Sequence, residues 1–336
     1  VARARESTLK TIHGLSQLQD SSISRPVSTI GFFDGFHRGH ASLLVDLLRW
    51  TEELSGTSTV ITFSTHPKLV IEGMAPAVLT PLDQRLELLA ESGVDTVVIL
   101  PFDRELSRWS PERFIDEVLT ESLGCTHLLM GFDSAFGAGA QGTAEYVASI
   151  ENLALEMRTS PPLLVEGEAV SSSMVRHCVE VGDLTRASRL LGRAYSVRGT
   201  VIYGDRRGQT IGFPTANLDP GPVLVPPVGV YLGTVIIEDD EQKTTWPAAI
   251  NLGRRPTFGT PEAPEGTPFD PELDRLEAHL DGFDGDLYGS TIEVVLYRRL
   301  RGERRFESID ALRRQIVRDV EALRDWWNSR GSSDGI

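Results

Sequence analysis

The sequence predicts two folded parts in series: an α/β part built on a parallel sheet, then an antiparallel β-barrel followed by a long C-terminal helix. Three observations carry this reading. From Val27 to about Leu155, short apolar runs alternate with stretches of helical period, the pattern of buried strands covered by helices. After Gly182 the runs alternate apolar with polar residues and are parted by Gly and Pro, as antiparallel strands are. The length, 336 residues, exceeds the ~150 usual for one domain, so two domains are expected.

In chain order, strands are expected at 27–33 (VSTIGFF), 58–63 (STVITF), 95–100 (DTVVIL), 126–130 (THLLM) and 162–166 (PLLVE). Between them lie amphipathic helices such as ASLLVDLLRW after His40 and PLDQRLELLAES at 81–92, where Pro81 suits a helix start. SSSMVRHCVEVG reads as a helix with serines at its start and Gly182 at its end, and DLTRASRLLG as one more. The barrel strands are expected at 195–203, 230–237, 246–253 and 292–300, and IDALRRQIVRDVEALRDWW forms the closing helix. The Pro- and Glu-rich stretch 260–272 reads as a surface loop and GSSDGI as a disordered tail. The domains expected are 1–187 and 188–336.

Composition narrows the function. With 48 acidic against 33 basic residues the net charge is −15, so the chain as a whole repels nucleic acid and anionic membranes, and any phosphate must be held by local groups. No apolar run approaches the ~18 residues of a spanning helix, and the polar N-terminal stretch suits a cytoplasmic, unanchored protein. Cys125 and Cys178 are expected as small core residues in a reducing compartment. The three lysines, Lys10, Lys68 and Lys243, all lie outside any G-K-S or G-K-T, which excludes a Walker phosphate loop.

Two strings offer other ways to hold phosphate. GFFDGFHRGH, from Gly31 to His40, follows the first long strand and opens a helix. Backbone N–H groups, the helix dipole and the imidazoles of His37 and His40 converge there, while Gly35 and Gly39 permit close approach of an anion. GDRRGQTIGFPTANL, from Gly204 to Leu218, places Gly204, Gly208 and Gly212 in a loop that can wrap phosphates through backbone N–H groups. Its Thr215 and Asn217 lie two apart on an extended segment, hence on one side of it, and offer hard oxygens suited to magnesium. A third string, GAGAQG from Gly137 to Gly142, fits G-x-G-x-x-G but starts too far beyond its strand to be a dinucleotide fingerprint.

The first string resembles the nucleotidyltransferase signature, and in its longer form the FMN adenylyltransferase module of the bifunctional riboflavin kinase and FAD synthetase family. Thr62, Phe63, His66 and Pro67 match the family's TFDPHP, and VSSSMVR at 170–176 matches its ISSTxIR. The second string resembles the riboflavin kinase signature, supported by PVGVYLGTV at 227–235, AAINLGRRPTFG at 248–259 and LEAHLDGFDGDLYG at 276–289. The resemblance implies a nucleotidyltransferase-type, Rossmann-like parallel sheet and a six-stranded barrel. It implies ATP bound in the first domain by Gly31, Phe33, Asp34, His37, His40, Ser171, Ser172 and Arg176, with His37 and His40 catalytic. Flavin would lie against His66, Pro67, Asp133 and Phe136. In the barrel, Gly204, Gly208, Gly212, Pro214 and Thr215 would hold phosphate, Thr215 and Asn217 magnesium brought with ATP, and Glu277 would be the catalytic base.

Riboflavin, FMN and ATP are the implied small-molecule partners, without nucleic acid or membrane, on a monomer or weak homo-oligomer. Where the family writes GxDFRFGxxRxG this chain has GFDSAFGAGAQG, with Ser134, Ala135 and Ala140 at the departing positions, and Ser64 and Thr65 replace an Asp-Pro. These departures imply weaker flavin binding in the first domain. Two rivals remain open at this point: a kinase whose first domain is inactive, and a flavin-sensing module without catalysis.

Overall fold

The structure, a computed structural model, describes residues 9–151, 153–204, 207–239, 242–254, 264 and 266–331. By its internal contacts the chain forms two compact units, Val1–Ser172 and Ser173–Ile336.

The first unit runs β1 (Lys10–His13), α1 (Gly14–Gln19), β2 (Pro26–Ile30), α2 (Arg38–Leu54), β3 (Thr57–Phe63), α3 (Pro67–Glu72), α4 (Leu82–Glu91) and β4 (Thr96–Leu100). It continues with α5 (Pro111–Phe114), which widens into a π-helical stretch over Ile115–Ser122, then β5 (His127–Gly131), α6 (Ala144–Ser149) and β6 (Glu156–Ser160). The strands form one sheet in the order β1-β4-β3-β2-β5-β6, every neighbour parallel. Both faces are buried, as a parallel sheet requires. In β4, Val97 and Ile99 join a core with Leu44, Leu47 and Trp50 of α2, while Val98 and Leu100 join another with Phe114, Val118 and Met130.

Three sequence expectations change here. The sixth strand is Glu156–Ser160, whereas PLLVE supplies only one arm of a two-stranded hairpin, β7 (Leu164–Val165) with β8 (Glu168–Ala169). The chain is turned back on itself by Glu166 and Gly167, at φ 55° and 85°, into that hairpin, while the polar EMRTS pairs with β5 at an edge. The N-terminal polar stretch also contains an edge strand, β1, paired with β4.

The second unit opens with α7 (Ser172–Glu180), whose first residue still belongs to the first unit, and α8 (Leu184–Leu191). Gly182, at φ 78°, ends α7 with the Asp183 N–H bonded to the Cys178 carbonyl, a Schellman closure. There follow β9 (Tyr195–Ile202), α9 (Arg207–Thr210), β10 (Ala216–Asp219), β11 (Gly229–Glu238), β12 (Lys243–Arg254), β13 (Asp274–Leu280), β14 (Thr291–Arg301) and α10 (Ile309–Gly331). The strands close into an antiparallel barrel in the order β10-β13-β12-β11-β14-β9. Closure leaves no open edge, and Val197, Leu232, Ile250, Leu276, Ala278 and Val294 are among the buried residues that fill it. The short strands β10 and β13 are additions to the four expected. Of the expected surface loop and tail, residues 260–263, 265 and 332–336 lie outside the described residues. Cys125 and Cys178 are both buried free thiols, as expected.

Candidate active sites

In the first unit, the loop between β2 and α2 is held in an unusual backbone shape by the core beneath it. Phe33 and Phe36 have φ of 58° and 37°, a region bulky residues avoid, and both rings are buried at 1% and 8% exposure. Strain of this kind persists only where surrounding packing fixes it, and it gathers at ligand sites. Asp34, also buried, accepts the backbone N–H groups of Leu79 and Thr80 at 2.9 and 3.1 Å. Its carbonyl accepts the Ser172 hydroxyl at 2.8 Å. The loop is thus tied to the segment before α4 and to the start of α7.

His37 caps α2, its Nδ1 accepting the His40 N–H at 3.3 Å. That bond leaves no proton on Nδ1, so the neutral ring carries its proton on Nε2. His40 stacks on His37 with ring centroids 3.7 Å apart and planes 15° apart, and Phe33 lies 5.0 Å from His40. A Cβ on Gly39 would stand 3.0 Å from His37 Nδ1 and 3.3 Å from the Val170 carbonyl, so a side chain there would crowd the imidazole that folds over the helix start. The two rings therefore sit as a pair at the positive end of a 17-residue helix, a site for a polyanion.

The exit of β3 lies beside it. His66 caps α3 through Nδ1, with Pro67 as the first helical residue, and its ring meets Phe32 edge-on at 4.7 Å. Asp133 is exposed, whereas the Phe136 ring is buried beside Phe114 at 5.2 Å. The GAGAQG loop is pinned: Phe136 and Gly142 exchange backbone hydrogen bonds, and the Ala138 N–H bonds the Trp109 carbonyl at 2.7 Å. It closes on itself and is followed by a helix of only six residues, so it is no dinucleotide fingerprint. Ser171 and Ser172 lie at the N-terminal end of α7, and Arg176 lies one turn further along it, in the second unit.

One residue of this neighbourhood was not legible as special. Arg85 on α4 is 1% exposed, donating to the Phe32 carbonyl at 2.5 Å and the Phe63 carbonyl at 2.9 Å. Burial lowers its pKa to about 10, partly countered by the charge of Asp34.

In the barrel, register builds the second site. Asn217 of β10 stands opposite Glu277 of β13, which stands opposite Asn251 of β12. Opposed residues share a face with Cβ atoms about 5 Å apart, so the three side chains form one row. Asn217 is buried, while Glu277 and Asn251 are half-buried. A Cβ on Gly204 would lie 2.3 Å from Asn217 Nδ2 and 2.7 Å from its Oδ1, and one on Gly208 would lie 3.3 Å from Thr215 Oγ1. The glycine loop thus lies directly over the PTAN oxygens. Gly212 takes φ 87°, and Pro214 offers its carbonyl to His279 Nδ1 at 2.8 Å. His279 and Asn251 were not singled out in the sequence; both fall on the Glu277 side of alternating strands, a signal available once β13 is recognised.

The oxygens of Thr215 and Asn217 suit a hard cation whose remaining ligands come from phosphate. Among the described residues no group of three or more His, Cys, Asp or Glu could hold a metal.

Two candidate sites of different construction, a histidine pair at a helix start on a parallel sheet and a glycine loop over a polar row on a barrel, have the chemistry of an enzyme that handles nucleotides twice. Comparison with known proteins gives the particulars. Residues 19–174 match the FAD synthetase family and residues 191–327 the riboflavin kinase family. A protein of Bacillus subtilis named bifunctional riboflavin kinase/FMN adenylyltransferase is 31% identical over 328 residues, 96% of this chain and 100% of its own length. One of that name from Escherichia coli K12 is 34% identical over 322 residues, 95% of this chain and 98% of its own. The chain belongs to the bifunctional riboflavin kinase/FMN adenylyltransferase family. A crystal structure from Streptococcus pneumoniae, described as a macrolide-efflux protein, is 28% identical with a TM-score of 0.80, covering 95% of this chain and 99% of that one. The likeness carries the fold; among the described residues here, no helix is long and apolar enough to cross a membrane.

Proposed function

We propose that this protein phosphorylates riboflavin with ATP in its barrel and transfers an adenylyl group from a second ATP to the resulting FMN on its α/β sheet, giving FAD and pyrophosphate. The row Asn217, Glu277, Asn251 beneath the Gly204 loop carries the kinase half, because it sets a carboxylate beside oxygens and amides suited to phosphate and its cation. Glu277 takes the proton of the riboflavin primary alcohol as that oxygen attacks the γ-phosphorus and ADP leaves. Thr215 and Asn217 would hold magnesium, which when bound neutralises phosphate charge. His279 keeps the Pro214 end of the segment in place.

In the adenylyl half, a terminal phosphate oxygen of FMN attacks the α-phosphorus of ATP and pyrophosphate departs. The attacking oxygen is already ionised, so no base is needed and charge stabilisation carries the rate. His37 Nε2 and His40 supply donors at the helix start, with Ser171, Ser172 and Arg176 as further ATP contacts. Gly31, Phe33 and Asp34 shape that loop, and Asp34 acts through Leu79 and Thr80. His66, Pro67, Asp133 and Phe136 complete the flavin end, with Phe136 acting from within the core.

The functional boundary at 187/188 falls between the two matched stretches. The reading includes a cytoplasmic monomer or weak homo-oligomer, and the net charge of −15 supports its lack of a nucleic-acid partner. Incubation with riboflavin, ATP and magnesium, followed by separation of the flavins, and a parallel incubation with FMN in place of riboflavin, test the whole reading: FAD is expected in both, FMN left unchanged in either would remove the adenylyl half, and unchanged riboflavin would remove the kinase half.

A further inference from the structure

We propose that Arg85 is the positioning residue of adenylyl transfer: its forked guanidinium, bonded to the carbonyls of Phe32 and Phe63, fixes the spacing between the loop that grips ATP and the loop that carries flavin.

The two carbonyls lie on the chain as it leaves neighbouring parallel strands, Phe32 just after β2 and Phe63 at the end of β3. Each is followed at once by a substrate loop, Asp34 to His40 on one side and Ser64 to His66 on the other. A planar fork with two donor arms is the side chain that can span two acceptors at a set distance, which a lysine ammonium cannot do with the same geometry. The guanidinium also lies 4.2 Å over the Phe32 ring, and that ring contacts His66. Thr62 adds a hydroxyl to the same Phe32 carbonyl at 3.3 Å. One cation thus touches the chain at the root of both loops, the one that leads to His37 and His40 and the one that leads to His66.

The placement is costly. Arg85 is 1% exposed, makes no salt bridge among the described residues, and its Nε finds no hydrogen-bond partner. An apolar residue would avoid desolvating a charge but would leave the Phe63 carbonyl without this donor; that carbonyl calls for a donor, not for a buried charge with a fork, so stability alone gives no full reason for an arginine. Holding two reacting phosphates at attack distance does give one, because a misplacement of about 1 Å costs on the order of a hundredfold in rate.

The inference rests on the adenylyl-transfer reading of the first unit. In Arg85→Met, kcat for FAD formation from FMN and ATP should fall about a hundredfold, with either KM changing less than about threefold, while FMN formation from riboflavin by the same chain stays parental. Arg85→Lys keeps the charge but not the fork, and should recover less than about a tenth of the lost kcat. Parental kcat in either variant overturns the proposal, and so does a loss that appears in KM alone. Should Arg85→Met fail to fold, Arg85→Lys decides. A second readout needs no turnover: amide hydrogen exchange over Phe32–Phe36 and Phe63–His66 should quicken together in Arg85→Lys, and unchanged exchange in both loops counts against the proposal. If the parental protein makes no FAD, the site reading fails, and the exchange result still tells whether Arg85 sets the two loops.

Discussion

At His37 and His40 the arrangement is eased by a residue with no side chain, since Gly39 leaves room for the His37 ring against the helix start. His40 then owes its position to His37, through one backbone hydrogen bond and a stacked ring. His40→Ala should therefore abolish most FAD formation, by about 10²-fold or more, while FMN formation stays near parental, since Glu277, Thr215 and Asn217 lie in the other unit. The check is to follow both products in one assay; an equal fall in FMN formation by a folded variant would show that the two sites are not separate. Glu277→Gln removes the proton acceptor while keeping the shape, so kinase turnover should drop by ~10²–10⁴ with little change in riboflavin affinity. Turnover at the parental rate would send the search for the base elsewhere. These residues were legible because the chemistry needs uncommon residue types at fixed spacing. Arg85 was not: within PLDQRLELLAES it looks like the polar face of an amphipathic helix, and only the fold reveals that Gln84 and Arg85 are buried.

At the scale of elements, α10 is fastened to the barrel by two ion pairs of unlike character. Arg301, the last residue of β14, forks onto Asp319 at 2.7 to 3.1 Å, and Asp319 also accepts from Gln315 at 2.9 Å. Asp319 is 5% exposed and the Arg301 side chain 23%, so Asp319→Ala leaves a cation with little water and should destabilise the second unit by about 3 kcal/mol, the low end for a buried pair. Urea unfolding followed by tryptophan fluorescence measures it, and a change under about 0.5 kcal/mol, the scale of an ordinary surface substitution, would show that the helix does not depend on this pair. The Arg324–Asp281 pair is more exposed on its Arg324 side. Hydrogen bonding from Arg324 lowers the Asp281 pKa, against the opposing effect of its partial burial. A carboxyl lowered in the folded state adds stability above its unfolded pKa of ~3.9 and loses it as pH falls through the folded value. The stability gap between the parental protein and Asp281→Asn should thus be present at neutral pH and close below about pH 4. A gap that persisted undiminished at pH 2 would detach it from this titration. Of the arginines near the end of β14, Arg301 serves the Asp319 pair and Arg299 donates to the Val228 carbonyl at 2.8 Å.

Over the whole molecule, the architecture was legible where burial is two-sided or strictly alternating, and illegible at edges. β2, β3 and β4 announce themselves as apolar runs because both faces of the sheet are covered. β1 and β6 carry mostly exposed residues and reach the core through few side chains, Ile12 and Met157 among them, so hydrophobic pattern passes over them. β13 alternates perfectly in burial, but its first buried residue is Asp274, which disguises the period. The kinase site inherits that difficulty, for the row through Glu277 exists only once β13 is set between β10 and β12.

That row and the histidine pair belong to different units, and this separation has a consequence for the whole chain that neither site has alone. If each unit completes its own reaction, FMN made by one molecule can serve another. His40→Ala should convert riboflavin only as far as FMN, Glu277→Gln should leave riboflavin almost untouched, and a mixture of the two should make FAD from riboflavin after a lag while FMN accumulates. Lengthening of the lag on dilution would mark FMN travelling through solution, since encounter of FMN with the second protein depends on concentration. Glu277→Gln given FMN directly should make FAD with no lag. A mixture that makes FMN only in amounts matching the His40→Ala protein and no FAD, alongside a Glu277→Gln protein that still adenylylates added FMN, would mean that FMN is not released to solution and that the two reactions are coupled within one molecule.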